Sequence, residues 1–337
     1  MTATTPDALV TATQSPLRRW LRRHGWTFGV WLLLLVLIAY YATLIPRFGA
    51  FQVASIVNNG TPFVFLAVAQ AVIVISGGID LGVGSMAILT SVTAAQLMEG
   101  QPFWLTLVIA VLIVFGAALV NALVGLIINL SKVPDIVITL GSLYVFQGLA
   151  LAVLPNPGGG TSEGFRYLFT GSTRGIGANP WPAAILMAIT VVAAAWWLGR
   201  TRNGLSLYAV GSDKTAAYLS GIRAARVKIV SYAVGGGFAA MAGLALTAIA
   251  GRGNATSFGG NLTLNSVAAI VLGGVALTGG IGSLIAVIPA GLILFFLSPI
   301  LTAMGVDPSG AQVIQGVLIV AVMAITGLIE WRRQRTS

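Results

Sequence analysis

The chain has 337 residues, 57% of them apolar and only 8% charged, with 42 glycines, no cysteine and a formal net charge of +10. Soluble globular chains carry roughly 25% charged residues, so this composition excludes a soluble enzyme, a disordered chain and a disulfide scaffold. Unbroken apolar runs such as 31–39 also exclude a transmembrane β-barrel, whose strands would alternate apolar and polar residues, and leave an all-α polytopic membrane bundle.

Residues 1–15 read as a disordered tail, and Arg18, Arg19, Arg22, His24 and their neighbours precede the first apolar run. That run, Trp26 to Pro46, exceeds the 7–15 residues of a signal-peptide core and predicts an uncleaved membrane helix. Ten spans follow from the apolar runs: about 27–46, 53–75, 83–98, 103–130, 134–154, 181–199, 229–250, 265–278, 284–304 and 311–329. The stretch 155–180, rich in glycine and proline, predicts an ordered loop or a short reentrant piece. The chain divides into an N-terminal tail 1–26, a membrane domain 27–329 with a long loop at 200–228, and a C-terminal tail 330–337.

Lysine and arginine cluster before the first span, at Arg200, Arg202, Lys214, Arg223, Arg226 and Lys228, and at Arg332, Arg333 and Arg335. Ten crossings from a cytoplasmic N-terminus put all three clusters and Lys132 inside, 14 of 18 basic residues, and leave Arg47, Arg166, Arg174 and Arg252 outside. Because cytoplasmic loops carry the basic excess, the topology reads N-in and C-in. The same placement beside apolar runs explains the charge by membrane orientation and argues against nucleic acid as a partner.

Two segments break the apolar pattern. Four glycines between Ser76 and Ser85 (Gly77, Gly78, Gly82 and Gly84) surround Asp80 and are incompatible with a plain helix interior. Irregular backbone at membrane depth needs protein or a water-filled cavity around it; Asp80 either caps the following helix or contacts a substrate. In the loop, Ser212 or Asp213 as N-cap, an apolar face of Ala216, Ala217 and Leu219, and Gly221 as stop with Ile222 closing on Ala217 predict a two-turn helix. So short a helix is unstable alone in water, so it rests on headgroups, on its own bundle or in a partner's groove. The small residues Gly235, Gly236, Gly237, Ala239, Ala240 and Gly243 suit close helix packing, either within the bundle or at a subunit seam. Asn58, Asn59, Gln70, Asn121, Gln147, Asn265 and Gln315 are the intramembrane amides, each either a helix–helix contact or part of a path.

No enzyme constellation is present. A single His24 and no Cys leave no conventional zinc site, and Asp213 before Lys214-Thr215 departs from the glycine that a phosphate loop needs. Only Asp80 and Asp135 lie near membrane depth, thin equipment for ion coupling.

The sequence Ser76-Gly-Gly-Ile-Asp80-Leu-Gly-Val-Gly-Ser85, together with Val133-Pro-Asp-Ile-Val-Ile-Thr-Leu140, resembles the permease subunits of bacterial ATP-binding-cassette (ABC) importers of the ribose/galactoside type, relatives of the branched-chain amino-acid permeases. So do Tyr208 to Asp213 with Ala216-Ala217 and Ser220-Gly221-Ile222, Ala268 to Gly274, and Thr278-Gly-Gly280, in order along nearly the whole chain. The resemblance implies a type II importer-like subunit of the bacterial inner membrane. It also implies two cytoplasmic ATP-binding subunits that hold ATP and Mg themselves, a second permease and a periplasmic sugar-binding protein as partners, with membrane lipid around. It implies that the loop helix couples to the ATPase through Gly211, Asp213, Ala216, Ala217, Ser220 and Gly221. A candidate sugar path carries Asn58, Gln70, Asp80, Asn121, Gln147 and Asn265, and no cofactor is expected in this chain. The chain departs from the pattern at Thr263-Leu264-Asn265, where many sugar permeases have Glu-Leu-Asp, and at Asp135, where relatives often have Ser, Ala or Phe. The cargo therefore stays open between a sugar and another small solute such as an amino acid, with ion-coupled secondary transport as a further reading.

Overall fold

The computed structural model describes residues 16–173, 177–256, 259–307, 309–317, 320, 321 and 324. Among them the chain is helical throughout, with no strand beyond one isolated bridge between Gly158 and Gly253. The helices are α1 (Pro16–Leu44), α2 (Ala50–Ile75), α3 (Val83–Met98), α4 (Phe103–Ser131), α5 (Asp135–Val153) and α6 (Glu163–Thr170). They continue with α7 (Trp181–Arg200), α8 (Arg202–Ser212), α9 (Lys214–Leu219), α10 (Ala224–Ala250), α11 (Gly259–Leu272) and α12 (Leu284–Ala303). Residues 309–317 are helical as well. The expected terminal tails and most of the last span lie outside the described residues.

Seven of these helices are long and apolar enough to cross a membrane: α1, α2, α4, α5, α7, α10 and α12. At 16 and 14 residues, α3 and α11 rise only about 24 and 21 Å, less than the roughly 30 Å hydrocarbon core. The predicted run at 83–98 coincides with α3, but the run at 265–278 is displaced. Its helix begins at Gly259 and stops at Leu272, because Gly274 takes φ 78° and breaks the ladder. The 155–180 stretch holds a helix that its glycines and prolines hide: the Ser162 hydroxyl accepts the Phe165 N–H at 3.3 Å and starts α6.

Burial sorts the helices into a centre and a rim. The apolar window of α2 is 83% enclosed and those of α10 and α12 67%, whereas α1, α4, α5 and α7 lie between 11% and 28%. Lipid supplies no hydrophobic drive for helices to pair, so the centre packs through small residues and interhelical hydrogen bonds. The glycine-rich face of α10 is packed inside the chain. Gly235 lies on Ile73, Gly236 on the Ala117 carbonyl and Asn121, and Gly243 on Thr90 and the Ala87 carbonyl of α3. One turn on, the Thr247 and Ser91 hydroxyls meet at 2.8 Å.

Inter-element contacts divide the connections between two ends. At one end Gly158 and Gly253 exchange two backbone hydrogen bonds, Gly160 donates to the Ala95 carbonyl, and the Asn58 amide reaches the Thr170 carbonyl at 2.9 Å. The break at 76–82, the α4–α5 turn, α8, α9 and residues 273–283 meet at the other end.

A side chain at Gly243 would strike Thr90 Oγ1 and the Ala87 carbonyl, and a helix backbone cannot move aside. Gly243→Val is therefore expected to lower stability by roughly 1–3 kcal/mol, while Gly141→Ala, with open space around it, leaves stability unchanged or slightly raised. Thermal unfolding of the detergent-solubilised chain measures both.

Candidate functional site

Three of the sequence motifs, far apart in the chain, meet backbone to backbone at the end that carries α8 and α9. The Gly280 N–H donates to the carbonyl of Ile75, the last residue of α2, at 2.9 Å. A Cβ on Gly211 would strike that same carbonyl and stand 2.5 Å from the Gly280 nitrogen, so this position admits only glycine. A Cβ on Gly279 would stand 3.0 Å from both the Gly77 Cα and the Gly211 oxygen. Positive φ at Gly77 (77°), Gly279 (91°) and Gly280 (73°) turns the two loops into the contact.

The break that starts at this knot is held from two further helices. From α10, Tyr232 donates its hydroxyl to the Ile79 carbonyl at 2.8 Å, and the Ser231 hydroxyl lies 2.9 Å from that of Ser76. From the start of α5, Asp135 accepts from Lys228 at 2.6 Å, and both side chains are largely buried. Asp80 is enclosed, and its Oδ1 accepts the Gly82 N–H at 2.7 Å. It thus braces the turn into α3, not the N–H groups of the first helical turn. Gly82 faces Ser142 and Leu143 of α5, and Gly84 abuts the Gly259 carbonyl and Thr263 of α11, so these glycines let α3 lie close to both neighbours.

The loop helix forms as its residues dictate. Asp213 Oδ1 accepts the N–H groups of Thr215 (2.7 Å) and Ala216 (3.0 Å). At the other end Gly221 takes φ 79°, its N–H meets the Tyr218 carbonyl, and the Ile222 N–H meets that of Ala217, each at 2.9 Å. This is the paired Schellman closure. The apolar face differs from the expected one: Ala217 alone is buried, Ala216 is exposed, and Tyr218 and Leu219 stand 74% and 81% exposed.

Sequence reading overlooks α8, which carries α9 to the knot. Thr201 caps it by accepting the Gly204 N–H at 3.1 Å, and Gly204, Leu207 and Val210 bury one stripe at three-residue spacing. That stripe and the threonine cap are the signal that could have found it. The Tyr208 hydroxyl donates to the Gly282 carbonyl at 2.9 Å, and burial pushes its pKa above the usual 10, which keeps the donor protonated. Gly211 and Ser212 at the end of α8 pack on Gly280, so α9, the break and the 273–283 turn share one junction.

The intramembrane amides scatter. Asn58, Gln70 and Asn121 are fully enclosed, and neither amide atom of Gln70 or Asn121 meets a partner among the described residues. Gln147 ties α5 to the segment before α11, donating to the Ala255 carbonyl at 2.8 Å and accepting from the Gly259 N–H at 3.2 Å. Asn59 bonds within α2 to the Ser55 carbonyl. Asn265 and Gln315 meet at 3.2 Å on the wall of a cavity of about 600 Å³.

A helical bundle with seven helices long and apolar enough to cross a membrane defines a multi-pass membrane protein. The chain belongs to the family described as the permease component of branched-chain amino acid transport systems, whose pattern it matches over residues 52–323. It is 32% identical over 296 residues to the ribose import permease protein RbsC of Escherichia coli, covering 87% of this chain and 91% of that one. It is 29% identical over 317 residues to the galactose/methyl galactoside import permease protein MglC of Escherichia coli (89% and 94%). With the D-allose transport system permease protein AlsC of that organism it shares 28% over 308 residues (90% and 92%). No solved structure matches the chain significantly.

Removing one partner of a largely buried ion pair strands the other charge. Asp135→Asn and Lys228→Gln should each destabilise the chain, and the double variant should lose less than the sum, with a coupling of about 1–3 kcal/mol. A thermal-unfolding double-mutant cycle reads this; additive losses would mean that the pair does not hold the break.

Proposed function

We propose that this chain is the membrane-spanning permease subunit of a bacterial ATP-binding-cassette importer that moves a sugar delivered by a periplasmic binding protein. The observation that carries the reading is α9: two large apolar side chains, Tyr218 and Leu219, stand uncovered at the polar end of the bundle on a rigidly capped helix. Water does not favour that arrangement, and a cleft in a nucleotide-hydrolysing partner would cover both. The names of the similar proteins, which import ribose, galactose and allose, supply the cargo class.

In this reading the partner closes on ATP and pulls α9. The movement passes through α8 to the glycine knot, and from there into the end of α2 and the break around Asp80. ATP shifts the permease between its two accesses only by binding one arrangement more favourably than the other. The coupling residues would be Gly211, Asp213, Ala216, Ala217, Ser220 and Gly221, to which Tyr218 and Leu219 are added as the contact itself. The enclosed amides fit the same picture. An unpaired buried polar group costs about 1–3 kcal/mol, so Gln70 and Asn121 favour an alternative arrangement in which α2, α4 and α10 part and admit water or cargo.

Besides the four arginines at the start of α1, seven basic residues (Lys132, Arg200, Arg202, Lys214, Arg223, Arg226 and Lys228) sit at the α8–α9 end, against Arg47, Arg166 and Arg252 at the other among the described residues. This bias supports a cytoplasmic α9 in a cell whose inner membrane the chain crosses. On this reading the seven long helices, the shorter α3 and α11 extended by the irregular chain beside them, and the apolar run 311–329 give ten crossings with both termini inside. A second permease completes the assembly, and ATP and Mg stay with the ATPase.

The test is uptake and ATP hydrolysis by proteoliposomes holding the permease, the ATPase and the binding protein. Tyr218→Ser with Leu219→Asp is expected to cut uptake about tenfold or more, the scale of a lost contact hot spot. Its unfolding temperature should match the parent's, because both side chains are solvent-exposed. Gly221→Pro, which cannot adopt φ 79° and loses the N–H that closes α9, should uncouple hydrolysis from uptake. Undiminished uptake in both variants, or uptake driven by an ion gradient without the ATPase, overturns the reading.

A further inference from the structure

The cavity beside Asn265 has a chemistry of its own. It lies between α1, α2, α11, α12 and the helical stretch 309–317, and Ile45, Thr302 and Ala303 set it near the ends of α1 and α12 that lie away from α9. Its volume, about 600 Å³, is within the range of small-molecule sites. No charged residue lines it. The amides of Asn265 and Gln315, with Ser298 and Thr302, add polar groups to an otherwise apolar wall, and against these groups water or a polar solute is favoured over hydrocarbon.

We propose that this cavity holds the sugar on its way through the permease, with the Asn265–Gln315 pair reading two neighbouring hydroxyls; the inference rests on the importer reading above and goes beyond it in assigning the site. The Gln315 nitrogen donates to both Asn265 Oδ1 and the Leu294 carbonyl, each at 3.2 Å. The carbonyl fixes which atom of the Gln315 amide is nitrogen. The Asn265 Nδ2 donor and the Gln315 Oε1 acceptor remain without a partner among the described residues. Adjacent hydroxyls, each able to donate and accept, match that pair. The phenyl ring of Phe63 packs 5.4 Å from that of Phe295, and with Tyr41 these rings offer an apolar wall to the C–H face of a sugar. Pro299 on the same wall has no N–H to donate to the Phe295 carbonyl one turn earlier. An amino acid would bring an ammonium and a carboxylate, and this lining holds no countercharge for either. The cavity thus selects a neutral polyol.

The chain contains no cysteine, so single cysteines can be placed without further change. In proteoliposomes with the ATPase and binding protein, Ser298→Cys and Gln315→Cys are expected to react with a membrane-impermeant methanethiosulfonate at least about tenfold faster than Val111→Cys. Val111 stands 68% exposed on the outer face of α4. Asn265→Leu and Gln315→Leu should each lower uptake of D-ribose or D-galactose about tenfold, with ATP hydrolysis and unfolding temperature retained. Labelling no faster than at Val111 means a lipid-filled space and overturns the proposal. Leucine variants that import at the parental rate overturn it as well and leave the importer reading standing. A parent that carries L-leucine and neither sugar overturns both.

Discussion

The contact on which the rest depends is a three-way approach of bare backbone at the last turn of α2. The Ile75 carbonyl, left without a helical donor, is satisfied by the Gly280 N–H, and Gly211 comes so close to both that no side chain fits. A hydrogen bond between backbones is short and directional, and close-packed interiors transmit displacement instead of absorbing it. The end of α8, the break after α2 and the turn before α12 are therefore held in one contact. A helix at the polar surface is thereby joined to irregular chain at membrane depth without a long lever.

Around that junction the bilayer shapes the rest of the design. Irregular backbone between α2 and α3 survives because α5 and α10 wrap it, with Tyr232 bonded to the Ile79 carbonyl and the Asp135–Lys228 pair closing the side. Asp135 stands where the family resemblance leads one to expect a small or apolar residue, and Lys228 gives its charge a partner. Elsewhere polar groups are left unpaired in the centre, Gln70 and Asn121 above all.

The chain shows how unequally such a fold is written into its residues. Among the described residues each apolar run meets a helix, because the hydrocarbon demands internal satisfaction of each backbone group, a requirement visible in composition alone. The α9 helix was equally legible, since its cap, its glycine stop and its closing isoleucine act within ten residues. By contrast α8 and α6 are hidden, one behind a run of mixed polarity and the other behind glycine and proline, although each carries a local cap, Thr201 and Ser162. The loop's apolar face was misjudged for a different reason: which side of α9 is covered depends on what it rests against, and Ala217 proved to be the covered residue while Leu219 was not.

What the sequence determined by itself is therefore everything set by local geometry and by the bilayer: the helices, the distribution of basic residues between two ends, the capped turn at 213–221 and the motifs that carry the family. Only the tertiary structure decided which helices form the centre, that glycines at 77, 211 and 279–280 belong to one contact, and that Asn265 and Gln315 share a wall while Gln70 and Asn121 do not. The physical reason is range. Helix formation and membrane partition depend on residues a few positions apart, whereas a knot of backbones or a cavity is made by segments hundreds of positions apart that carry no mark of one another until they pack.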